Sequence, residues 1–288
     1  MNILEETRFI MKKYGIFANK SLGQNFLISE DVVENIVDAA EISKEDLIIE
    51  IGPGLGTLTK YLLEKAYKVI CIELDTRMIN ILKDRFSLYQ NLEIFNDDVL
   101  KVNLNEIIEK NKKDENIKHV KLVANLPYYI TTPIIMKLLE DKISVESITV
   151  MVQKEVAERL IAIPGEEKSG AITYSVHYYA DARKIIDVPN YSFIPEPEVT
   201  SSVIQIIGLK NPRVDVLDEK LFFKVIKAAF MQKRKTLVNA LVNGKIFSNK
   251  EEVTEMLEKL NLDSKIRGEK LNLEDYKRII DYIKMKNL

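Results

Sequence analysis

The segment Glu50–Thr59, with the sequence EIGPGLGTLT, constrains the fold more than any other part of this 288-residue chain. It follows an apolar run, Leu47–Ile51, and leads into a helical pattern, Thr57–Glu64. A strand, a glycine-rich turn and a helix in this order are typical of open α/β sheets, because glycine lets the backbone pass close to a ligand. The segment therefore predicts a ligand-binding turn at the carboxyl edge of a parallel sheet.

The spacing of the glycines argues against a dinucleotide site. A dinucleotide fingerprint has glycine at the first, third and sixth positions, with the pyrophosphate on the helix N-terminus. Gly52 and Gly54 occupy the first two of these positions, but the sixth is Thr57. The order G-x-G-x-G favours a nucleoside cofactor without a pyrophosphate. No lysine follows the loop in the way that phosphate transfer would require.

Strands and helices alternate from Leu47 to about Ala162, which predicts a doubly wound, mostly parallel α/β sheet. Two later strands give the sheet seven strands and an antiparallel edge. The predicted strands are Leu47–Ile51, Lys68–Leu74, Leu92–Phe95, Val120–Ala124, Ser147–Val152, Lys184–Val188 and Val199–Leu209. Beyond Asn211 and Pro212 the pattern is helical only. We therefore expect a catalytic α/β domain at 1–210 and a small all-α domain at 211–288.

Polar side chains end the predicted strands. Glu73 ends the second strand, where a carboxylate can accept hydrogen bonds from both hydroxyls of a ribose. Asp98 follows the third strand, where a carboxylate can meet an adenine amine. Because the carboxyl ends of parallel strands share one edge of a sheet, the glycine loop and these two carboxylates predict a nucleoside site.

Asn125-Leu126-Pro127-Tyr128 follows the fourth strand and predicts a site for an exocyclic amine. The side chain of Asn125 offers an acceptor, and Pro127 fixes φ so that the carbonyl of Leu126 can turn toward the same point. Tyr128 offers a flat face for stacking a base. An ordinary turn after a strand explains these residues equally well when they are taken alone. Their position beside the nucleoside site favours amine binding.

This row of motifs resembles that of class I S-adenosylmethionine-dependent methyltransferases, and in detail that of the ribosomal RNA adenine N6-dimethyltransferases. The segments that extend the resemblance over essentially the whole chain are Ser21–Leu27, Phe193–Val203, Gln232–Leu237 and Ile266–Leu271. They are similar to the family's N-terminal cofactor motif, the loop that closes over the target base, and two C-terminal helical signatures. Lys233 stands where the family more often has arginine, which keeps the charge but loses bidentate phosphate geometry.

The resemblance implies transfer of methyl groups from S-adenosylmethionine to N6 of adenine, twice on the same nitrogen, without a metal. The implied cofactor-binding residues are Asn25, Leu27, Gly52, Gly54, Glu73, Asp98 and Asn125. The implied residues around the target base are Asn125, Leu126, Pro127, Tyr128 and Phe193, with Tyr128 and Phe193 stacking on the base after it leaves its own stack. The implied RNA contacts are Lys233, Arg234, Lys235 and Arg267.

The resemblance also implies a substrate: two adjacent adenines in the hairpin loop near the 3′ end of small-subunit rRNA, within an assembling small ribosomal subunit. A net charge of −2 and a pI near 6.0 suit an enzyme that docks on a shaped particle better than one that binds any RNA. Local basic patches, such as Lys227 with 233–235, supply the phosphate contacts.

Three alternatives stay open. An NAD-dependent oxidoreductase would share the glycine loop and Glu73, but Thr57 and the Asn-Leu-Pro-Tyr turn argue against it. A ribosome-assembly or transcription factor without catalytic activity could use the same scaffold. A large-subunit rRNA methyltransferase of the macrolide-resistance type resembles this chain too, although those enzymes tend to be markedly basic and to have isoleucine where Leu126 stands.

Composition excludes several other classes. His119 and His177 lack the spacing of a metal pair, and the only cysteine, Cys71, lies in an apolar strand as expected for core packing. Met1–Lys13 has no long apolar core, so it is not a secretory signal, and no apolar run approaches membrane length. We expect a cytoplasmic monomer.

Overall fold

The structure, a computed structural model, describes residues 1–18, 23–232 and 235–286. The chain forms two compact units: Met1–Ala157 with Ala182–Gly208, and Glu158–Asp181 with Leu209–Leu288. The second unit thus includes 158–181, which the sequence prediction placed in the first domain. The reason is that Tyr174 and Tyr178 from this segment share an apolar core with the C-terminal helices.

The first unit is built around a seven-stranded sheet, which confirms the predicted fold class. The strands of the chain are β1 (Phe26–Leu27), β2 (Asp46–Ile51), β3 (Lys68–Glu73), β4 (Leu92–Asn96), β5 (His119–Asn125), β6 (Ser147–Gln153), β7 (Ala180–Val188), β8 (Phe193–Ile194) and β9 (Ser201–Gly208). The order across the sheet is β4-β3-β2-β5-β6-β9-β7, while β1 and β8 form a separate pair. The five strands β4, β3, β2, β5 and β6, which lie side by side in this order, are parallel to one another. Strand β9 runs antiparallel to β6.

The register of the sheet brings the predicted strand-end motifs to one edge. Ile51 pairs with Ile72, Glu73 with Asn96, and Asn125 with Met151. Every residue of β2 is buried, as are the last five of β3, because helices cover both faces of the sheet. The turns that follow β2, β3 and β5 therefore leave the sheet side by side, where an open α/β sheet binds its ligand.

The helices of the first unit connect these strands. They are α1 (Ile3–Tyr14), α2 (Glu30–Ala39), α3 (Thr57–Lys65), α4 (Thr76–Arg85), α5 (Leu104–Asn111), α6 (Thr131–Glu140) and α7 (Lys154–Ile161), the last of which ends within the second unit. The sequence prediction assigned no element to Ile3–Tyr14. Asn2 starts this helix with a capping box to Glu5, and Gly15, at φ 61°, ends it in the left-handed conformation.

The second unit is helical in its described part. Its helices are α8 (Ala171–Tyr179), α9 (Glu219–Met231), α10 (Leu237–Asn243), α11 (Lys250–Lys259) and α12 (Leu273–Met285). Tyr174, Phe222 and Tyr276 are fully buried at its centre. The hydroxyl of Tyr174 donates a hydrogen bond to the carbonyl of Leu271 at 2.5 Å, which satisfies its one polar group inside the apolar core. None of the helices in the described ranges combines the length and apolar character that a membrane crossing requires.

Candidate active site

A cavity at the carboxyl ends of β2, β3 and β5 brings the predicted cofactor residues together. The residues of that prediction which line it are Asn25, Leu27, Gly52, Gly54, Glu73, Asp98 and Asn125. Leu126, Pro127 and Tyr128 line the same cavity. The glycine loop and the Asn-Leu-Pro-Tyr turn therefore belong to one site, although they are far apart in the sequence.

Two residues of the glycine loop, Gly52 and Gly56, have a left-handed backbone, and at Gly56 the packing leaves no room for a side chain. Gly52 has φ 66°, and a Cβ atom there would lie 3.6 Å from the ring of Pro127. Gly56 has φ 83°, and a Cβ atom there would lie 2.6 Å from the ring of Phe86 and 2.8 Å from the side chain of Leu82. Gly56 is thus required both by the left-handed backbone and by the packing of α4 against the loop.

The carboxylate of Glu73 is held against the glycine loop. It accepts a hydrogen bond from the backbone amide of Gly54 at 3.1 Å and another from the amide of Asp75 at 2.8 Å. Burial raises the pKa of Glu73, although these two amides act in the opposite direction. A carboxylate can accept about four hydrogen bonds, so two acceptor positions remain for a ligand hydroxyl.

Glu50 is an acidic residue of the site to which the sequence prediction gave no role. It lies on β2, lines the cavity and is 1% exposed. Its Oε2 accepts hydrogen bonds from the Thr59 hydroxyl at 2.7 Å and from the Cys71 thiol at 3.4 Å. Burial raises the pKa of Glu50 to about 7, and the charge of Glu73 acts in the same direction. The sequence does contain a sign of this role, because Glu50 is a carboxylate within an otherwise apolar strand segment, and a buried carboxylate is costly without a partner.

The charged side chains that line the cavity indicate which kind of nucleoside ligand it can bind. Its lining contains the carboxylates of Glu50, Glu73, Asp97 and Asp98, and no lysine, arginine or histidine is among the described residues that line it. Asp98 is partly exposed, and its Oδ1 accepts a hydrogen bond from the amide of Leu100 at 3.0 Å. Such a lining opposes a pyrophosphate and suits a cationic ligand with ribose hydroxyls. S-Adenosylmethionine, with its sulfonium and ammonium charges, fits this set of groups.

The Asn-Leu-Pro-Tyr turn is fixed at several points. The amide of Leu126 donates to the carbonyl of Met151 at 3.2 Å. The carbonyl of Pro127 accepts from the hydroxyl of Thr131 at 2.9 Å, at the start of α6. The hydroxyl of Tyr128 is hydrogen-bonded to that of Ser201 on β9 at 2.5 Å, and burial raises the pKa of Tyr128. These contacts hold the turn rigid, as a site that positions a reacting amine requires.

Phe193 is not among the described residues that line this cavity. It pairs with Leu27 across the β1–β8 ladder, is 0% exposed and packs in the main apolar core. The stacking of Tyr128 and Phe193 on a target base stays a prediction. The exposed aromatic ring of the cavity lining is Tyr129, at 50%, which the sequence prediction did not include.

The predicted RNA contacts fall in the second unit. Lys233 and Arg234 lie outside the described residues. Lys235 and Arg267 are exposed. The amide of Leu237 donates to the carbonyl of Ile266 at 2.7 Å, so the two C-terminal signatures that carry these residues are joined directly. Their contact with RNA stays a prediction.

The sequence profile of the ribosomal RNA adenine dimethylase family matches residues 16–285. The chain belongs to this family. The ribosomal RNA small subunit methyltransferase A of Clostridioides difficile is 47% identical over 280 residues, which cover 97% of this chain and 96% of that one. The protein of the same name from Alkaliphilus metalliredigens is 48% identical over 271 residues, covering 94% and 93%.

Solved structures agree with this assignment. A dimethyladenosine transferase from Plasmodium falciparum matches with a TM-score of 0.73 and 28% identity, over 91% of this chain and 98% of that one. A 23S rRNA methyltransferase matches with a TM-score of 0.64 over 90% and 100%, but its 21% identity limits that likeness to the fold. As a family member, the chain is an S-adenosylmethionine-dependent rRNA adenine dimethyltransferase, which confirms the predicted reaction class.

Proposed function

We propose that this dimethylase modifies N6 of two adjacent adenines in the 3′-terminal hairpin loop of small-subunit (16S) rRNA, giving N6,N6-dimethyladenine, and that it acts during maturation of the small subunit. The observation that carries the chemistry is that the glycine loop, the Asn-Leu-Pro-Tyr turn and the carboxyl groups of four acidic residues line one cavity. The small-subunit substrate is supported by the relatives' names and by nearly complete coverage of both chains.

S-Adenosylmethionine supplies a methyl group on a positively charged sulfur. Glu73 would accept hydrogen bonds from its ribose, and Asp98 would accept from its adenine amine. Asn25, Leu27, Gly52 and Gly54 line the remaining wall, where the methionine part would lie. When Glu50 is ionised, which its pKa of about 7 allows at neutral to basic pH, it adds negative charge to the cavity lining and favours a cationic ligand.

The target nitrogen is a poor nucleophile because its lone pair is delocalised into the adenine ring. The side-chain oxygen of Asn125 and the carbonyl of Leu126 would accept its N–H hydrogens and favour a tetrahedral nitrogen with a localised lone pair. The fixed hydrogen bonds of the turn mean that little reorganisation is needed as the reaction proceeds. No strong base is required, since the positive charge that develops on the nitrogen acidifies its proton.

The target base would stack on Tyr128 after it leaves its own stack. Tyr129 offers a second, more accessible ring in the same cavity. The exposed cations Lys235 and Arg267, together with Lys233 and Arg234, would contact phosphates. The modest net charge of the chain favours docking on an assembling subunit over binding to arbitrary RNA. We propose that the protein does so as a monomer in the cytoplasm.

The deciding experiment supplies labelled S-adenosylmethionine with two substrates. Small ribosomal subunits that lack this modification should accept two methyl groups on each of the two adenines. Naked large-subunit rRNA should remain unlabelled. Label on a single adenine of the large-subunit rRNA would instead identify a methyltransferase of the macrolide-resistance type. A protein that labels neither RNA but binds the small subunit would have a purely structural role in assembly.

A further inference from the structure

The N-terminal helix α1 is attached to the back of the glycine loop. Ile10 of α1 shares an apolar cluster with Leu55 of the loop and with Met78 and Ile81 of α4. α1 therefore packs on the two elements that carry the loop and support it. The sequence analysis assigned α1 no part in the cofactor site, and none of its residues lines the cavity.

Arg85, at the end of α4, connects this helix to the loop. Its guanidinium donates a hydrogen bond to the main-chain carbonyl of Leu55, and its Nη2 lies 2.5 Å from Oε1 of Glu6 on α1. The Arg85 side chain is only 11% exposed. Burial lowers the pKa of Arg85, and the carboxylate of Glu6 opposes this effect. A guanidinium in this position depends on its partner, because an unpaired buried charge is costly.

Glu6 also contacts the helix that the glycine loop begins. Its Oε2 lies 3.4 Å from Nζ of Lys60 on α3. One carboxylate therefore joins α1 to α3 directly, and to the loop and α4 through Arg85. The loop between these contacts has glycine in the left-handed region at 52, 54 and 56. Such a segment has many alternative conformations in isolation, so external contacts are needed to select one.

We propose that Glu6 and Arg85 are positioning residues that hold the glycine loop in its cofactor-binding conformation. We call this pair the Glu6–Arg85 clamp. The proposal rests on the proposed function in one respect, namely that the cavity binds S-adenosylmethionine. Neither Glu6 nor Arg85 lines the cavity, and the clamp acts by fixing the carbonyl of Leu55 while Glu73 fixes the amide of Gly54. Preorganisation of this kind increases affinity by lowering the ordering cost of binding.

The test compares three variants of the full chain. Arg85→Met removes all donors at similar length, and Glu6→Gln removes the charge of the partner while leaving Arg85 in place. The matched control is Asp84→Asn, because Asp84 forms an ion pair with Lys13 at 2.8 Å that also joins α4 to α1. That pair is about half exposed, and neither of its residues lines the cavity. A general loosening of α1 would affect the control as well.

The first measurement is amide hydrogen exchange of the free protein. Peptides that cover 52–58 should exchange faster in Arg85→Met and Glu6→Gln than in Asp84→Asn. The second is calorimetry with S-adenosylmethionine, without RNA. We expect the dissociation constant to rise about tenfold in Arg85→Met, as for loss of a hydrogen bond to a charged group, and less in Glu6→Gln.

Steady-state kinetics separates positioning from catalysis and from stability. The KM for S-adenosylmethionine should rise in parallel with the dissociation constant, while kcat at saturating cofactor stays within about threefold, because only binding is weakened. Arg85→Lys keeps the positive charge but can contact only one of the two partners at a time. It should therefore bind S-adenosylmethionine more tightly than Arg85→Met and less tightly than the wild type.

Two outcomes overturn the clamp. One is a dissociation constant in both Arg85→Met and Glu6→Gln equal to that of Asp84→Asn. The other is unchanged exchange at 52–58. If Arg85→Met does not fold, Glu6→Gln alone decides, since its shape is conserved and its carboxylate is partly exposed. Failure of the wild-type protein to bind S-adenosylmethionine would overturn the proposed function instead, and the exchange experiment would still test the clamp.

Discussion

The amide of Gly54 donates a hydrogen bond to the carboxylate of Glu73 at 3.1 Å, so the glycine loop and the end of β3 fix each other. This contact joins two features that the sequence suggested separately: a turn that approaches a nucleoside and a carboxylate that accepts from its ribose. Glu73 therefore has two tasks, to shape the loop and to bind the ligand. Substitutions at this position should report both.

We expect Glu73→Ala to weaken S-adenosylmethionine binding by about 1–3 kcal/mol, because it removes acceptors for buried hydrogen-bond donors. Glu73→Gln should weaken binding less, since one oxygen remains to accept from Gly54. Titration calorimetry measures both. Glu93→Ala, on β4 and outside the cavity lining, serves as the control. Equal affinity of Glu73→Ala and wild type would remove Glu73 from the cofactor site.

Asn125→Ala should lower turnover by about 10²–10³-fold, as expected when one preorganised hydrogen bond to the reacting group is lost. Cofactor affinity should change much less, because the substitution lies at the target amine. Single-turnover methylation at saturating cofactor measures the effect on chemistry. A rate close to that of the wild type would show that another group holds the amine.

Glu50 should make stability depend on pH in an unusual direction for a carboxylate. Burial raises its pKa from 4.5 to about 7, so the folded state binds the proton more tightly than the unfolded state does. Its contribution to stability is therefore complete below pH 4.5 and is lost as the pH rises to about 7. Glu50→Gln should raise the free energy of unfolding at pH 8 by about 3 kcal/mol relative to wild type, and by much less at pH 4.5.

Urea unfolding of both proteins at a series of pH values gives this difference directly. Carboxylates that do not interact with Glu50 titrate identically in the two proteins and cancel, whereas Glu73, whose charge acts on Glu50, contributes to the measured difference. A difference that does not vary with pH would show that Glu50 is ionised throughout this range. The same variant should bind S-adenosylmethionine more weakly at pH 8, because it lacks the negative charge beneath the loop.

Charge reversal at Arg234 and Lys235 should reduce methylation of small-subunit particles and flatten its salt dependence. Each lost phosphate contact lowers the slope of log affinity against log salt by about one. The control is Lys250→Glu at the exposed start of α11. The affinity of each variant for small-subunit particles, measured from low to moderate salt, distinguishes the charge-reversal variant from the control. A slope unchanged from wild type would place the RNA contacts elsewhere.

The sequence was most informative where local pattern and function coincide. Apolar strands followed by polar residues predicted the sheet and the cavity-lining residues from Gly52 to Tyr128. This prediction needs no knowledge of side-chain packing, because the carboxyl ends of parallel strands always lie at the same edge of the sheet. The pattern also predicted that the chain beyond Pro212 is helical, as its described part is. Helix α1 was overlooked, although the Asn2–Glu5 capping box was legible in the sequence.

Other features depended on contacts that no local pattern contains. The β1–β8 pair consists of two-residue strands, which are too short to show a period, and their partners are distant in the chain. This pair decides the burial of Phe193. Glu50 owes its raised pKa to burial and to the charge of Glu73, whereas hydrogen bonds from Thr59 on α3 and Cys71 on β3 act in the opposite direction. The link from Glu6 through Arg85 to Leu55 likewise exists only once the chain has folded.

The pairing of Leu27 with Phe193 has a kinetic consequence. Two methyl groups on one nitrogen consume two molecules of donor, so spent donor must be exchanged for fresh donor between the transfers. Leu27 lines the donor's cavity, and the strand that contains it is hydrogen-bonded to the loop expected to cover the base. If the strand opens for this exchange, its pairing with Phe193 and Ile194 requires that the loop is disturbed as well. We therefore expect the half-modified RNA to be released between rounds, with monomethyladenine accumulating before the dimethylated product.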